Sequence, residues 1–147
     1  MATEKVDVTA QNNYAIKYAS RNGHSEVVKL LLATEKVDVT AQDNFAIKYA
    51  SHYGHSEVVK LLLATEKVDV TVENNYAIRL TSQNGHSEIV KLLLATGKID
   101  INKLTDINIL LIANEMKILN LHIYVQKIVE LMKKNKIENV IVNDNKK

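Results

Sequence analysis

Apolar positions along the chain fall into short helical stripes. In the stretch Phe45-Ala-Ile-Lys-Tyr-Ala-Ser the apolar or small residues stand at 45, 46, 47, 49 and 50. In His55-Ser-Glu-Val-Val-Lys-Leu-Leu-Leu, Val58 with Leu61 and Leu62 satisfies the i, i+3, i+4 rule, and Val59 and Leu63 widen the same stripe. The pattern predicts a short helix over about 45–52, with Asn44 as its N-cap, and a second helix beginning at once and running to Leu63. Gly54 parts them, a residue suited to the left-handed conformation that ends a helix. Glu57 sits in the first turn of the second helix, where its charge favours the positive end of the dipole. Lys60, the one charge inside that run, is expected to face water. Two helices parted by a single glycine turn must pack antiparallel. Val68-Asp-Val-Thr then alternates apolar and polar, which predicts a short extended segment followed by a polar turn.

This unit is written three times. Val6–Lys36, Val37–Lys67 and Val68–Lys98 share a period of 31 residues; the second copy keeps 27 of 31 residues of the first, and the third keeps 20 of 31 of the second. A fixed period of this size defines a solenoid, in which each unit buries its apolar face against its neighbours. The expected organisation is residues 1–5 as the end of a preceding repeat, repeats at 6–36, 37–67 and 68–98, a degenerate C-terminal capping repeat over 99–136, and a tail over 137–147. Ala2-Thr-Glu-Lys duplicates Ala33-Thr-Glu-Lys, and no polar capping helix precedes Val6. That predicts either a segment of a longer array or self-association through this end. In the last repeat, Ile99-Asp-Ile-Asn starts in register. The first helix is expected over Ile107–Met116, capped by Thr105 or Asp106, and the second over about Leu121–Lys134, followed by an extended remnant at 137–142 and a disordered end.

Gly54-His55-x-Glu57-Val58-Val59-Lys60-Leu61-Leu62-Leu63, followed by Val68-Asp69-Val70, resembles the ankyrin repeat, and the match recurs at Gly23–Leu32 and Gly85–Leu94. The resemblance implies an all-α, ankyrin-type helix-turn-helix solenoid with short β-hairpin-like projecting loops. It also implies a protein that binds other proteins. The family's Thr-Pro-Leu-His opening of the first helix is replaced by Tyr14-Ala-Ile-Lys, Phe45-Ala-Ile-Lys and Tyr76-Ala-Ile-Arg, so the usual Thr–His bond has no donor. The stretch from the Asp to the first helix is three residues shorter than in the family, so the projecting hairpin should be stubby. The variant looks like ankyrin arrays encoded by giant viruses of amoebae and by some protists, and 15 Asn and 14 Ile beside abundant Lys suit an AT-rich genome.

Charge changes the picture little. Residues 1–98 hold 11 basic and 11 acidic side chains, and the net +2 comes from the last third of the chain. Basic residues alternate with acids in every unit, unlike the dense basic face of a nucleic-acid binder, so no nucleic acid is expected. The longest apolar run, Ile109–Ala113, is far short of the roughly 20 residues that span a bilayer, so no membrane is expected and the location is expected to be cytoplasmic, in the host cell if the source is viral. There are no cysteines.

Candidate chemistry is sparse. His24, His55 and His86 recur one repeat apart; packed helices lie about 8–10 Å from one another, whereas ligands of one ion need about 2 Å. They read as turn residues, and with His52 and His122 standing singly no metal or other cofactor is expected. Nearly every polar residue occurs in triplicate, whereas an enzyme needs a unique acid, base or nucleophile constellation, so no catalysis is expected. The near-identical first two repeats differ at Asn12/Asp43, Tyr14/Phe45, Arg21/His52 and Asn22/Tyr53. The resemblance places the residue pair closing each first helix (Arg21 and Asn22, His52 and Tyr53, Gln83 and Asn84) on the concave face that holds partners. The loop tips join it: Gln11 and Asn12, Gln42 and Asp43, Glu73 and Asn74. The expected function is binding of a partner protein, a host protein if the source is viral, through this face. The alternative is a structural segment of a longer array.

Overall fold

The computed structural model describes residues 6–118 and 121–134. The expected partial repeat at 1–5 and the tail at 137–147 lie outside the described residues. Among those described there are helices and turns and no strand: α1 Ala10–Arg21, α2 Ser25–Ala33, α3 Ala41–His52, α4 Ser56–Leu63, α5 Val72–Gln83, α6 Ser87–Ala95, a 3-10 turn Ile101–Lys103, α7 Ile107–Glu115 and α8 Leu121–Lys134. They form two compact units, one through Ile99 and one from Asp100.

In the first unit α1–α2, α3–α4 and α5–α6 are helical hairpins. First helices pack on first helices and second on second, with the more extensive contact along the row α1, α3, α5. Ile16, Ile47 and Ile78, at equivalent positions, are fully buried, as are Val58, Val59 and Leu62 of α4 and Ile89, Val90 and Leu93 of α6. Each turn between helices closes with two backbone bonds: His55 N–H donates to Ala50 O at 2.9 Å and Gly54 N–H to Ser51 O at 3.3 Å, a Schellman-type ending. The linkers form no strand. Val68 and Val70 are buried, and Asp69 between them accepts from Thr71 N–H at 2.8 Å and Thr71 Oγ1–H at 2.7 Å. The projecting element is thereby reduced to a side-chain-closed turn.

The start of each first helix differs from expectation. Asn44 is not an N-cap. Gln42, Asp43 and Asn44 form a left-handed turn with φ of 53°, 53° and 59° ahead of the right-handed helix, and Glu73, Asn74 and Asn75 repeat it. The Asn44 Oδ1 serves the next repeat instead, accepting from Asp69 N–H at 2.8 Å, as Asn13 does from Asp38 N–H at 2.7 Å. Asn tolerates the left-handed region better than most residues, and the buried amide then pins the following linker.

The second helix of the first repeat is more exposed than that of the second. Val27 of α2 is 46 % exposed and Leu30 70 %, while Val58, the counterpart of Val27, is 1 % exposed. Nearest-neighbour coupling makes such a unit the weakest of an array. Amides of Tyr14–Ala19 should therefore exchange with solvent faster than those of Phe45–Ala50 in a verified monomer. Equal protection would mean that the first repeat is covered.

In the second unit Asp106, not Thr105, caps α7: its carboxylate accepts from the N–H of Asn108 at 2.9 Å and of Ile109 at 3.3 Å. Ile109, Leu110 and Ala113 are buried, α8 packs on α7, and Lys127 donates to the Asn102 carbonyl at 2.8 Å.

Candidate functional site

The row of first helices carries the chemistry that varies between repeats. The residues closing these helices meet across repeat boundaries. The Arg21 guanidinium lies over the Tyr53 ring at 5.7 Å and the Tyr49 ring at 6.0 Å, and Asn84 Nδ2 donates to the His52 carbonyl at 3.0 Å and stands 3.1 Å from His52 Nδ1. Asn22 folds onto its own helix, donating to Tyr18 O at 2.8 Å. Arg21, Asn22, Tyr53, Gln83 and Asn84 are exposed and His52 is half-buried.

The tips behave differently. Gln11, Gln42, Asp43, Glu73 and Asn74 are exposed, and the side chain of Asn12 lies outside what is described. Gln42 and Glu73 reach back to the preceding repeat: Lys17 donates to Gln42 Oε1 at 2.7 Å and Lys48 to Glu73 Oε1 at 2.8 Å. Tips and closing pairs sit at opposite ends of the first helices, and Arg21 and Gln42, one from each set, line the same cleft. The eight-residue step from Phe45 to Tyr53 alone is about 12 Å.

Between the two ends lies an aromatic band in which Tyr53 was among the residues expected and Tyr14, Tyr18, Phe45 and Tyr49 were not. Tyr14 stacks on Tyr18 (5.8 Å between centroids), Phe45 on Tyr49 (4.1 Å), and Tyr49 on Tyr53 (6.4 Å). Tyr14 and Tyr18 are more than half exposed. The i, i+4 spacing of these rings was readable, but it is also the spacing of core residues. Lys17 and Lys48 are buried here, over the rings of Phe45 and Tyr76 at 5.6 and 5.7 Å. Two clefts open on this side of repeats one and two: one of about 280 Å³ lined by Tyr14, Lys17, Tyr18, Arg21, Gln42 and Phe45, and one of about 360 Å³ lined by Arg21, Asn22, Tyr53 and His55. Arg21 lines both.

The recurring histidines join repeats. His55 Nε2 lies 3.0 Å from Arg21 O, and His86 Nε2 3.1 Å from His52 O; a ring nitrogen facing a carbonyl must carry the proton. Among the described residues no group of three or more His, Asp or Glu side chains is disposed to hold a metal ion. The linker carboxylates of Asp38 and Asp69 are held below their usual pKa, first by the hydroxyls of Thr40 and Thr71 and then by the same residues' backbone N–H. On the second-helix side Lys60 pairs with Glu88 at 2.9 Å, and the bond to that carboxylate raises its pKa. No helix among the described residues is long and apolar enough to cross a membrane.

A stack of near-identical two-helix units, joined by matching side-chain bonds at each boundary, defines the class of repeat scaffolds that present a binding surface. The family model for ankyrin repeats in three copies matches residues 2–74, and that for the single ankyrin repeat matches residues 73–106. The chain belongs to the ankyrin repeat family. Ankyrin repeats are protein–protein interaction modules without chemistry of their own. No curated protein and no solved structure matched the chain.

Proposed function

We propose that the chain binds a partner protein along the first-helix side of its repeats, the concave face of an ankyrin stack. The contacts are Arg21, Asn22, His52, Tyr53, Gln83 and Asn84, flanked by Gln11, Asn12, Gln42, Asp43, Glu73 and Asn74. The observation that carries this reading is the exposed Arg21–Tyr53 contact between two clefts, in an array whose first two repeats differ at only four positions. Tyr and Arg are the side chains most often found as interface anchors.

With a partner recovered by pull-down from source cells, His52→Ala with Tyr53→Ala should weaken binding by about 1–2 kcal/mol or more. Folding should survive, because the His52 carbonyl that receives His86 remains. Lys29→Ala with Lys60→Ala and Lys91→Ala, on the second helices, should leave affinity unchanged. The opposite result in the same titration would place the partner on the other side of the stack.

A second reading rests on the exposed Val27 and Leu30: the first repeat stacks against a further ankyrin repeat, making the chain a segment of a longer array or a self-associating one. Concentration-dependent elution in size exclusion, abolished by Leu30→Lys, would support it; a monomer at every concentration would argue against self-association.

A further inference from the structure

The two repeat boundaries differ in what meets the buried lysine of the first helix. In the second, the buried Lys48 meets a carboxylate, Glu73, at 2.8 Å. In the first, the equivalent Lys17, 7 % exposed, meets the neutral amide of Gln42 at 2.7 Å. Among the described residues no carboxylate lies within ion-pair distance of Lys17 or of the nearby Arg21. An ammonium has three donors, and burying a cation without a counter-charge is costly.

The surroundings agree. α1 carries Lys17 and Arg21 and no acid, whereas the acids of this repeat stand on the second helix (Glu26) and in the linkers (Asp7, Glu35). The cleft above Lys17 is lined by three aromatic rings, two cations and one amide. It offers an anion two positive partners and an apolar side chain three ring surfaces.

We propose that this cleft takes a carboxylate from the partner, completing the ion pair that Glu73 completes one repeat further on. The occupant is an extended acidic segment of a protein. Its Asp or Glu side chain meets Lys17 and Arg21, and an adjoining aromatic or aliphatic residue lies on Tyr14, Tyr18 and Phe45. This inference rests on the first-helix side being the binding face and names the chemistry that face selects.

The test selects a display library of random linear peptides on the full chain. Enriched peptides should carry Asp or Glu beside an aromatic or aliphatic residue. Replacing that acid by its amide should weaken binding about tenfold, the worth of one charge-assisted bond. Gln42→Glu fills the site from within, as Glu73 already does at the next boundary, so it should keep or raise thermal stability while weakening the same peptides about tenfold. Neutral peptides that still lose affinity to Tyr53→Ala would overturn the acidic segment and leave the binding face standing. Acidic peptides that bind Gln42→Glu as tightly as the parent would overturn the assignment to this cleft, and a phosphopeptide displacing them from it would overturn the choice of carboxylate. Peptides indifferent to both substitutions, or no enrichment, would overturn the binding face as well.

Discussion

Leu62→Ala should destabilise the chain by about 2–5 kcal/mol, the range for truncating a buried leucine, while Lys60→Ala, two residues earlier, should barely move the denaturation midpoint. Leu62 is fully buried in α4, between the second helices on either side of it. Interiors are packed too closely to refill the space of a lost isopropyl group, so the loss of transfer free energy is compounded by a cavity. Lys60 is exposed and Glu88, which pairs with it, is exposed too; such pairs add little to stability. Because α4 has neighbours on both sides, the Leu62 defect is felt at two boundaries. Equal shifts for the two variants in urea melts would mean that the buried face of α4 has been misassigned.

Gly54→Ala should cost about 2–5 kcal/mol, the sum of about 1–2 for an L side chain in the left-handed region and about 1–3 for overpacking. Gly85→Ala should cost only the first of these. Both glycines have positive φ, +81° and +75°. A Cβ on Gly54 would stand 2.7 Å from Cε1 of the His86 ring, whereas one on Gly85 meets nothing within 4 Å. The glycine therefore makes the turn and also leaves room for the next repeat's imidazole, which needs that place to reach the His52 carbonyl. A double-mutant cycle with His86→Ala separates the two terms: truncating the imidazole should recover part of the Gly54→Ala loss and none of the Gly85→Ala loss.

Much of this fold was legible because its signals are local. The apolar stripe of His55–Leu63, the glycine that ends each first helix and the alternation at Val68-Asp-Val each report on a handful of consecutive residues, and the helices and buried valines follow from them. What could not be read is whatever has its partner in another repeat. Asn44 has the residue type of an N-cap, yet its amide holds a linker 25 residues on. Lys48 carries the charge of a surface residue but is buried against Glu73. The periodic pattern gives the length of a unit but not the offset at which neighbours engage. The candidate site shows the same limit: Arg21, His52, Tyr53 and Asn84 stood out by varying, but nothing in their order pairs Arg21 with Tyr53 or His52 with Asn84. The aromatic band between them was hidden because Tyr14 and Tyr18 have the spacing of core residues.

The bonds across repeat boundaries share a property with an evolutionary consequence. Asn13 to Asp38, Asn44 to Asp69, Lys17 to Gln42 and Lys48 to Glu73 each span 25 residues, and His55 to Arg21 and His86 to His52 each span 34. The middle unit thus carries both halves of each fastening, one for the copy before it and one for the copy after. An in-frame duplication of one period inserts a unit that already fits both neighbours, and no chain segment longer than about one period has to close a loop to seat it. Such a gene can change length without redesigning a single contact. Two successive copies alike at 27 of 31 positions are what recent growth by that route leaves behind.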